Sequence, residues 1–286
     1  MATSGSGPIR AYAKINIGLF ILRKRADGYH DIATVFHRVA LYDEILLEPS
    51  PVLTLTGGSP EVPADHTNLC HRAASSLRDR LGMRDGVRIS LAKNIPVGAG
   101  LGGGSADAAA VLLHLPSFWG VQADPAMLDA VALELGSDIP YFLRPGSATA
   151  TGRGEVLEYF PLDIPFSIVL CYPGVAVSTA WAYQQVRPAG KAPRLRETVV
   201  AGMTNPHLLA TQLRNDFEPV VLPAFPAVAA VKRTMLDGGA VYASLSGSGS
   251  SVFGFFAAPA AAARVESTLK AQGLRTWLTP PHFQVP

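Results

Sequence analysis

A glycine-rich run is the segment of this chain whose residue types are best suited to chemistry. Residues 96–105 read Pro-Val-Gly-Ala-Gly-Leu-Gly-Gly-Gly-Ser, and an alanine-rich segment follows at residues 108–115. Glycines let the backbone approach a ligand closely and aim successive N–H groups at it, and a helix that begins near Ser105 adds its positive end. The run therefore predicts a phosphate-binding loop.

Other readings of this loop compete with that prediction. Gly98, Gly100 and Gly103 match the dinucleotide pattern G-x-G-x-x-G, but that fingerprint follows a strand directly, whereas residues 93–97 intervene here. The residue directly before Ser105 is Gly104 and not the lysine that a P-loop requires, so this loop is not a P-loop. The sequence also lacks the H-R-D and D-F-G motifs of protein kinases. A flexible linker is the bland alternative, and it is weakened because linkers rarely lead directly into a helix.

Candidate reactive side chains near the N-terminus come next. Lys14 and Asn16 alternate with apolar residues, so they share one face of a predicted strand. Lys14 is either an edge-strand gatekeeper or a charge directed at a phosphate or an attacking hydroxyl. The Asp-Gly turn at residues 27–28 presents Tyr29 and His30, which either lie on the surface or stack on and hydrogen-bond a flat base.

Two further loops carry polar groups. Asp138 follows a predicted helix, where it either caps a turn or acts as a general base. A second Gly/Ser loop at residues 244–251 separates two apolar strand-like runs and is too long for a minimal hairpin turn. Two such loops in one chain suggest that both wrap one ligand.

The elements that must position these groups are visible in the pattern. Prolines at helix starts and glycines after helix ends, or apolar residues four apart, predict helices over residues 68–81, 124–135, 226–237 and 259–272. Strand-like runs cover residues 9–20, 34–48, 87–91, 147–151, 166–172, 242–245 and 252–256. Because strands and helices do not alternate regularly, we expect an α+β class with largely antiparallel sheets. Turn residues predict domains over 1–158 and 159–286, and an exposed loop over 187–193.

Composition excludes several classes. The 286 residues are 48% hydrophobic and 16% charged, as in a soluble globular protein with room for two domains. The net charge of +2 is scattered and forms no basic surface for nucleic acid. Cys70 and Cys171 form neither a disulfide framework nor a CxxC site, and neither a secretory signal nor a run of ~20 apolar residues is visible. We expect a cytoplasmic monomer or weak homodimer that binds neither nucleic acid nor membrane.

Taken together, the motifs resemble those of the GHMP kinases, small-molecule kinases that include galactokinase, homoserine kinase and mevalonate kinase. The resemblance covers nearly the whole chain and rests on residues 13–16, 25–30, 95–105, 136–140 and 246–249. It implies a ribosomal S5-like N-terminal domain that binds ATP and a ferredoxin-like C-terminal domain, with the substrate in the cleft between them.

The resemblance also implies roles for individual residues. Asp138 matches the general base, and Lys14 matches the cation that lowers the pKa of the attacking hydroxyl. Asn68 and Lys93 match positions near the adenosine end of ATP, and the Ser105 hydroxyl is a candidate ligand of Mg²⁺. The nucleotide phosphates are assigned to Pro96, Val97, Gly98, Ala99, Gly100, Leu101, Gly102, Gly103, Gly104 and Ser105.

The implied substrate is a small molecule with a cytidine diphosphate group. Tyr29 and Tyr183 are expected to stack on the two faces of the cytosine while His30 reads its edge. The full set of expected substrate contacts is Asn16, Tyr29, His30, Tyr183, Gly247, Ser248 and Gly249.

Two alternatives stay open at this point. One is another GHMP kinase, although an aromatic and imidazole clamp has no role in binding homoserine or mevalonate. The other is a non-catalytic module that binds a nucleotide or RNA, because S5-like domains also occur in ribosomal proteins. The unremarkable charge and the joint presence of Lys14 and Asp138 favour an enzyme.

Overall fold

The computed structural model describes residues 7–57, 62–188 and 190–286. The strands are β1 (Ile9–Lys24), β2 (His30–Ser50), β3 (Thr54–Gly57), β4 (Gly86–Ala92), β5 (Ser147–Thr151), β6 (Val156–Phe160), β7 (Ser167–Tyr172), β8 (Tyr242–Leu245), β9 (Val252–Phe256) and β10 (Arg275–Thr279). The helices are α1 (Leu69–Leu81), α2 (Gly103–Phe118), α3 (Pro125–Leu135), α4 (Ile139–Phe142), α5 (Thr179–Gln185), α6 (Leu195–Thr204), α7 (Pro206–Gln212), α8 (Glu218–Ala224), α9 (Pro226–Asp237) and α10 (Pro259–Ala271).

The chain forms two compact units that interleave along the sequence. Unit 1 comprises the chain up to Ala13, Leu41–Val97 and Gly102–Pro145. Unit 2 comprises Lys14–Ala40, Gly98–Leu101 and Gly146–Pro286. Strands β1 and β2 contribute residues to both units, so the expected division after residue 158 stays a prediction.

Unit 1 combines sheet and helix packing. Strand β4 pairs in parallel with β3 and antiparallel with the second half of β2, with Glu44 opposite Ala92 and Ser50 opposite Gly86. Helices α1, α2, α3 and α4 pack on one another. Buried alanines, among them Ala73 of α1 and Ala109 of α2, let these helices approach closely because a methyl group takes little space.

Unit 2 contains a four-stranded antiparallel sheet in the order β10-β7-β9-β8. Along the chain β7 is followed by helices, then by β8, β9, α10 and β10, which is the split βαβ arrangement of a ferredoxin-like fold. Its core includes Val169, Leu245, Phe256, Met235 and Val265. In the same unit the first half of β2 pairs with β5, and β5 pairs with β6.

The α+β class and the antiparallel character are confirmed, with β3–β4 as a parallel exception. The predicted helices correspond to α1, α3, α9 and α10, and the strands predicted over 147–151, 242–245 and 252–256 match β5, β8 and β9. Strands β3, β6 and β10 and helices α4–α8 were not predicted.

In the predicted loop, Arg187, Pro188, Gly190 and Lys191 are exposed, while Ala189 lies outside the described residues. In the described ranges, every individual helix is too short or too polar to span a membrane. Helices α8 and α9, which are bent by 110° at the break between them, reach the required length and hydropathy only as a pair.

Candidate active site

The glycine-rich loop turns repeatedly before it enters helix α2. Gly98, Gly100 and Gly102 adopt φ angles of +65°, +78° and +68°, a region that glycine occupies without strain. Gly102 is the N-cap of α2 and provides no capping side chain, so the first N–H groups of the helix have no intrahelical acceptor. Such an N-terminus favours an anion. Along the loop, Pro96, Ala99 and Leu101 are buried, whereas Val97, Gly98 and Gly104 are exposed.

In unit 2, the carbonyl group of Gly100 is a shared acceptor. It receives hydrogen bonds from Lys14 Nζ at 3.3 Å and from Ser246 Oγ at 2.9 Å. The N–H group of Ser251 donates to the carbonyl of Ala99 at 3.1 Å. A Cβ atom added at Gly100 would collide with the carbonyl oxygen of Ser246. The two Gly/Ser loops therefore contact each other through residues 99–100, while their binding of one ligand stays a prediction.

The Lys14 side chain is buried, with 4% of the residue exposed. Its ammonium donates to Asn16 Oδ1 at 2.7 Å and lies 4.9 Å from the centroid of the Phe36 ring. The hydrogen bond confirms that Lys14 and Asn16 share a face. Burial argues against the gatekeeper reading, because a gatekeeper charge lies exposed at a sheet edge.

The expected base-binding residues divide into a stacked pair and a separate tyrosine. The His30 and Tyr183 rings stack with centroids 4.9 Å apart, and Phe217 meets the Tyr183 ring at 85°. Burial and, next, the charge of Lys24 lower the pKa of His30, which favours the neutral imidazole. Tyr29 is 55% exposed, and the guanidinium of Arg153 lies 5.0 Å from its ring centroid.

Asn215 holds the second Gly/Ser loop by two hydrogen bonds. Asn215 Nδ2 donates to the carbonyls of Leu245 and Gly247, both at 2.8 Å. The hydroxyls of Ser248 and Thr179 are 2.9 Å apart, and Gly249 has a φ of +91°. Sequence reasoning singled out neither Thr179 nor the link from Asn215 to this loop.

In unit 1, Lys93 lies between two buried carboxylates. Its ammonium donates to Asp107 Oδ2 at 2.7 Å and to Asp43 Oδ2, and Asp43 Oδ1 accepts the N–H of Ile95 at 2.9 Å. Asp107 Oδ1 has no partner among the described residues. Burial raises the pKa of Asp107 to about 8, against the charge of Lys93. A Cβ added at Gly103 would lie 3.2 Å from Lys93 Nζ, so this ammonium lies beneath the first turn of α2.

Asn68 also has internal partners. As the N-cap of α1, its Oδ1 accepts the N–H of Cys70 at 2.8 Å, while its Nδ2 donates to the carbonyl of Pro63 at 2.8 Å. Contacts from Asn68 and Lys93 to the adenosine of a nucleotide stay predictions.

Asp138 immediately precedes the short helix α4 and is half-buried. Its side chain makes no hydrogen bond that caps α4. Asp138 belongs to unit 1 and Lys14 to unit 2, so their joint action stays a prediction. Across the described ranges, groups of three or more His, Cys, Asp or Glu residues able to hold a metal ion are absent.

Comparisons with known proteins agree on the family. Residues 68–146 match the model of the GHMP kinases N terminal domain, and residues 200–274 match the model of the GHMP kinases C terminal domain. The 4-diphosphocytidyl-2-C-methyl-D-erythritol kinase of Chlorobium limicola is 44% identical over 281 residues, or 97% of this chain and 98% of the relative. The protein of the same name from Prosthecochloris aestuarii is 44% identical over 96% of this chain and 97% of its own length.

Solved structures extend the similarity to the fold. A crystal structure of 4-(cytidine 5'-diphospho)-2C-methyl-D-erythritol kinase superposes with a TM-score of 0.82 and 37% identity, covering 96% of this chain and 98% of that one. A homoserine kinase from Cytophaga hutchinsonii superposes with a TM-score of 0.68 over 98% of this chain and 97% of that one. At 21% identity, the second similarity concerns the fold alone.

Proposed function

Because the chain belongs to the GHMP kinase family, we propose that it transfers the γ-phosphoryl group of ATP to the C2 hydroxyl of 4-diphosphocytidyl-2-C-methyl-D-erythritol. This reaction is a step of the non-mevalonate isoprenoid precursor pathway. Similarity over nearly the full chain to relatives of that name supports the choice of substrate. The shared family fold supports phosphoryl transfer to a small-molecule alcohol.

The observation that carries the proposal is the shared carbonyl of Gly100. Lys14 Nζ and Ser246 Oγ both donate to it, which links the glycine-rich loop to a buried ammonium within unit 2. A loop that binds the phosphates would thus hold them near the cation that stabilises the transferred group. Phosphoryl transfer needs this combination of positioning and charge.

The nucleotide would be held mainly by backbone. The uncapped N-terminus of α2, which follows the turns of the glycine-rich loop, suits the phosphate chain. Lys93 supports the first turn of α2 from below, and Asn68 fixes the start of α1. We propose that these two residues border the adenosine end by holding the backbone around it.

The chemistry follows from an attacking hydroxyl, a base and a cation. The substrate oxygen forms a bond to the γ-phosphorus while the bond from that phosphorus to the bridging oxygen of ADP breaks. The hydroxyl proton passes to the carboxylate of Asp138 as general base. The ammonium of Lys14 lowers the pKa of the hydroxyl and stabilises negative charge on the phosphoryl oxygens.

A magnesium ion is expected for this chemistry, because it neutralises charge on the phosphates when bound. The half-buried hydroxyl of Ser105 in the first turn of α2 is an oxygen ligand of the kind that Mg²⁺ prefers. Phosphate oxygens of the nucleotide would provide further ligands of the ion.

We propose the substrate contacts that the family resemblance implies, and the chemistry of their side chains suits a cytidylated alcohol. A neutral imidazole at His30 offers one donor and one acceptor to the cytosine edge. Tyr183 and the exposed Tyr29 offer rings for stacking on the base. Asn16 and the loop at residues 247–249 contact the remainder of the substrate. We propose that the enzyme works as a cytoplasmic monomer or weak homodimer.

The proposal is tested by coupled ADP release with ATP and Mg²⁺. Four alcohols are compared: the cytidylated substrate, 2-C-methyl-D-erythritol 4-phosphate, homoserine and mevalonate. Turnover of the cytidylated compound alone is expected. Turnover of a different alcohol would discard the cytosine pocket, and no turnover with any of them would favour a binding module.

A further inference from the structure

A chain of buried hydrogen bonds leads from Thr34 to the ammonium of Lys14. Thr34 Oγ1 donates to the carbonyl of Gly18 at 2.5 Å, Asn16 Nδ2 donates to Thr34 Oγ1 at 3.0 Å, and Lys14 Nζ donates to Asn16 Oδ1 at 2.7 Å. Lys14, Asn16 and Thr34 are buried, and all four residues belong to unit 2.

The chain has a fixed direction because a hydroxyl has a single proton. Thr34 gives that proton to the carbonyl of Gly18, so its oxygen can only accept from a neighbour. The neighbour must then be the NH₂ group of Asn16, and the amide oxygen of Asn16 faces the Lys14 ammonium. With the amide turned over, NH₂ protons would face ammonium protons and the oxygen of Asn16 would face the oxygen of Thr34.

We propose that Thr34 is a positioning residue, which acts through Asn16 to fix the direction of the Lys14 ammonium. The bond to Asn16 is shorter than the bond from this ammonium to the Gly100 carbonyl, which measures 3.3 Å. When the Thr34 hydroxyl is lost, it no longer fixes which way the Asn16 amide faces. The hydrogen bond between Asn16 and Lys14 is then weakened. This inference rests on the proposed role of Lys14 in the reaction.

A matched pair of substitutions separates the hydroxyl from the packing of the side chain. Thr34→Val keeps the branched shape and removes the hydroxyl, whereas Thr34→Ser keeps the hydroxyl and removes a methyl group. We expect Thr34→Val to lower kcat about tenfold with little change in KM for ATP, because weakening one hydrogen bond to a charged group has an effect of that size. Thr34→Ser should retain most of kcat even where its Tm falls below that of Thr34→Val.

A second measurement follows the ammonium in the free protein. Nitrogen-15 spectra of lysine ammonium groups would contain a Lys14 signal, assigned by its absence from the spectrum of Lys14→Arg. Buried protons exchange slowly with water, so the signal should persist in wild type and in Thr34→Ser and broaden in Thr34→Val.

The outcomes are distinct. A wild-type kcat together with an unchanged Lys14 signal in Thr34→Val would overturn the inference, as would a Thr34→Ser enzyme that is as slow as Thr34→Val. If the Lys14 signal responds as expected but wild-type protein turns over no cytidylated alcohol, the proposed function is wrong and the structural coupling is supported.

Discussion

The imidazole of His30 lies face to face with the phenol ring of Tyr183, with centroids 4.9 Å apart and planes inclined by 21°. A base inserted between two rings needs about 7 Å between their planes, twice a normal stacking distance. The cytosine therefore cannot lie between these two rings in this arrangement. Because Phe217 contacts Tyr183 as well, His30 and Tyr183 form one supported unit.

If this pair binds the cytosine, removal of the Tyr183 ring should weaken binding of the cytidylated substrate and leave binding of ATP unchanged. We expect Tyr183→Ala to raise KM for the cytidylated substrate by about tenfold or more, since stacking of one base contributes ~1–3 kcal/mol. KM for ATP should stay unchanged, and Tyr183→Phe should behave like wild type because it keeps the ring. Steady-state ADP release measures both KM values in wild type and in the two variants. An unchanged substrate KM in Tyr183→Ala would remove Tyr183 from the pocket.

The base assignment predicts a separation of binding from transfer. Asp138→Asn keeps the size of the side chain but cannot accept the hydroxyl proton, so kcat should fall by about 10²–10⁴ while nucleotide affinity by calorimetry is retained. Asp129→Asn is the matched control, because Asp129 pairs with Arg144 at the surface of the same unit. Near-normal kcat in Asp138→Asn would exclude Asp138 as the base.

Two glycines of the loop offer a test of the contact with the second loop. Gly98 and Gly100 both have positive φ, but a Cβ at Gly98 meets nothing within 4 Å, whereas one at Gly100 would collide with the Ser246 carbonyl. Gly98→Ala should therefore show only the conformational cost, about 1–2 kcal/mol. Gly100→Ala should lose more stability in urea unfolding and also lose affinity for ATP. Equal losses in the two variants would mean that the contact with Ser246 is unimportant.

Local sequence signals predicted the helices that begin with proline and are followed by glycine. Asp124 is the N-cap of α3, and Pro125, Pro226 and Pro259 are the first residues of α3, α9 and α10, so these residues predict where the three helices begin. Strand β10 lacks such a signal. Its residues alternate without a clear apolar face, and it is a strand because it pairs with β7, more than a hundred positions earlier in the chain. Helices α4 to α8 are short, from 4 to 10 residues, so their apolar periodicity is weak.

The site was predictable where local geometry decides it. A strand period of two put Lys14 and Asn16 on one face, and the structure joins them by a hydrogen bond. The bond from Ser246 to Gly100 spans 146 positions and leaves no local trace. The pair of Asp107 and Lys93 did leave a signal that was missed, because a carboxylate among the alanines of α2 needs a buried partner.

Burial of the Asp107 carboxyl group predicts how the stability of the protein changes with pH. Burial raises the pKa of Asp107 from an ordinary 3.8 to about 8 in the folded protein. Between these values the folded state keeps a proton that the unfolded state has lost, so this group makes the free energy of unfolding fall as pH rises. Asp107→Asn keeps an oxygen acceptor for Lys93 but cannot titrate, so it should remove this contribution.

Urea unfolding at pH 5, 6 and 7 measures the slope for each protein. We expect the wild-type free energy of unfolding to decrease more steeply with pH than that of Asp107→Asn, so that the variant gains stability relative to wild type toward pH 7. Asp79→Asn is the control, because it makes the same change at a side chain that is 71% exposed. Parallel slopes for wild type and Asp107→Asn would mean that Asp107 is already ionised at pH 5 and that the ion pair with Lys93 outweighs the cost of its burial.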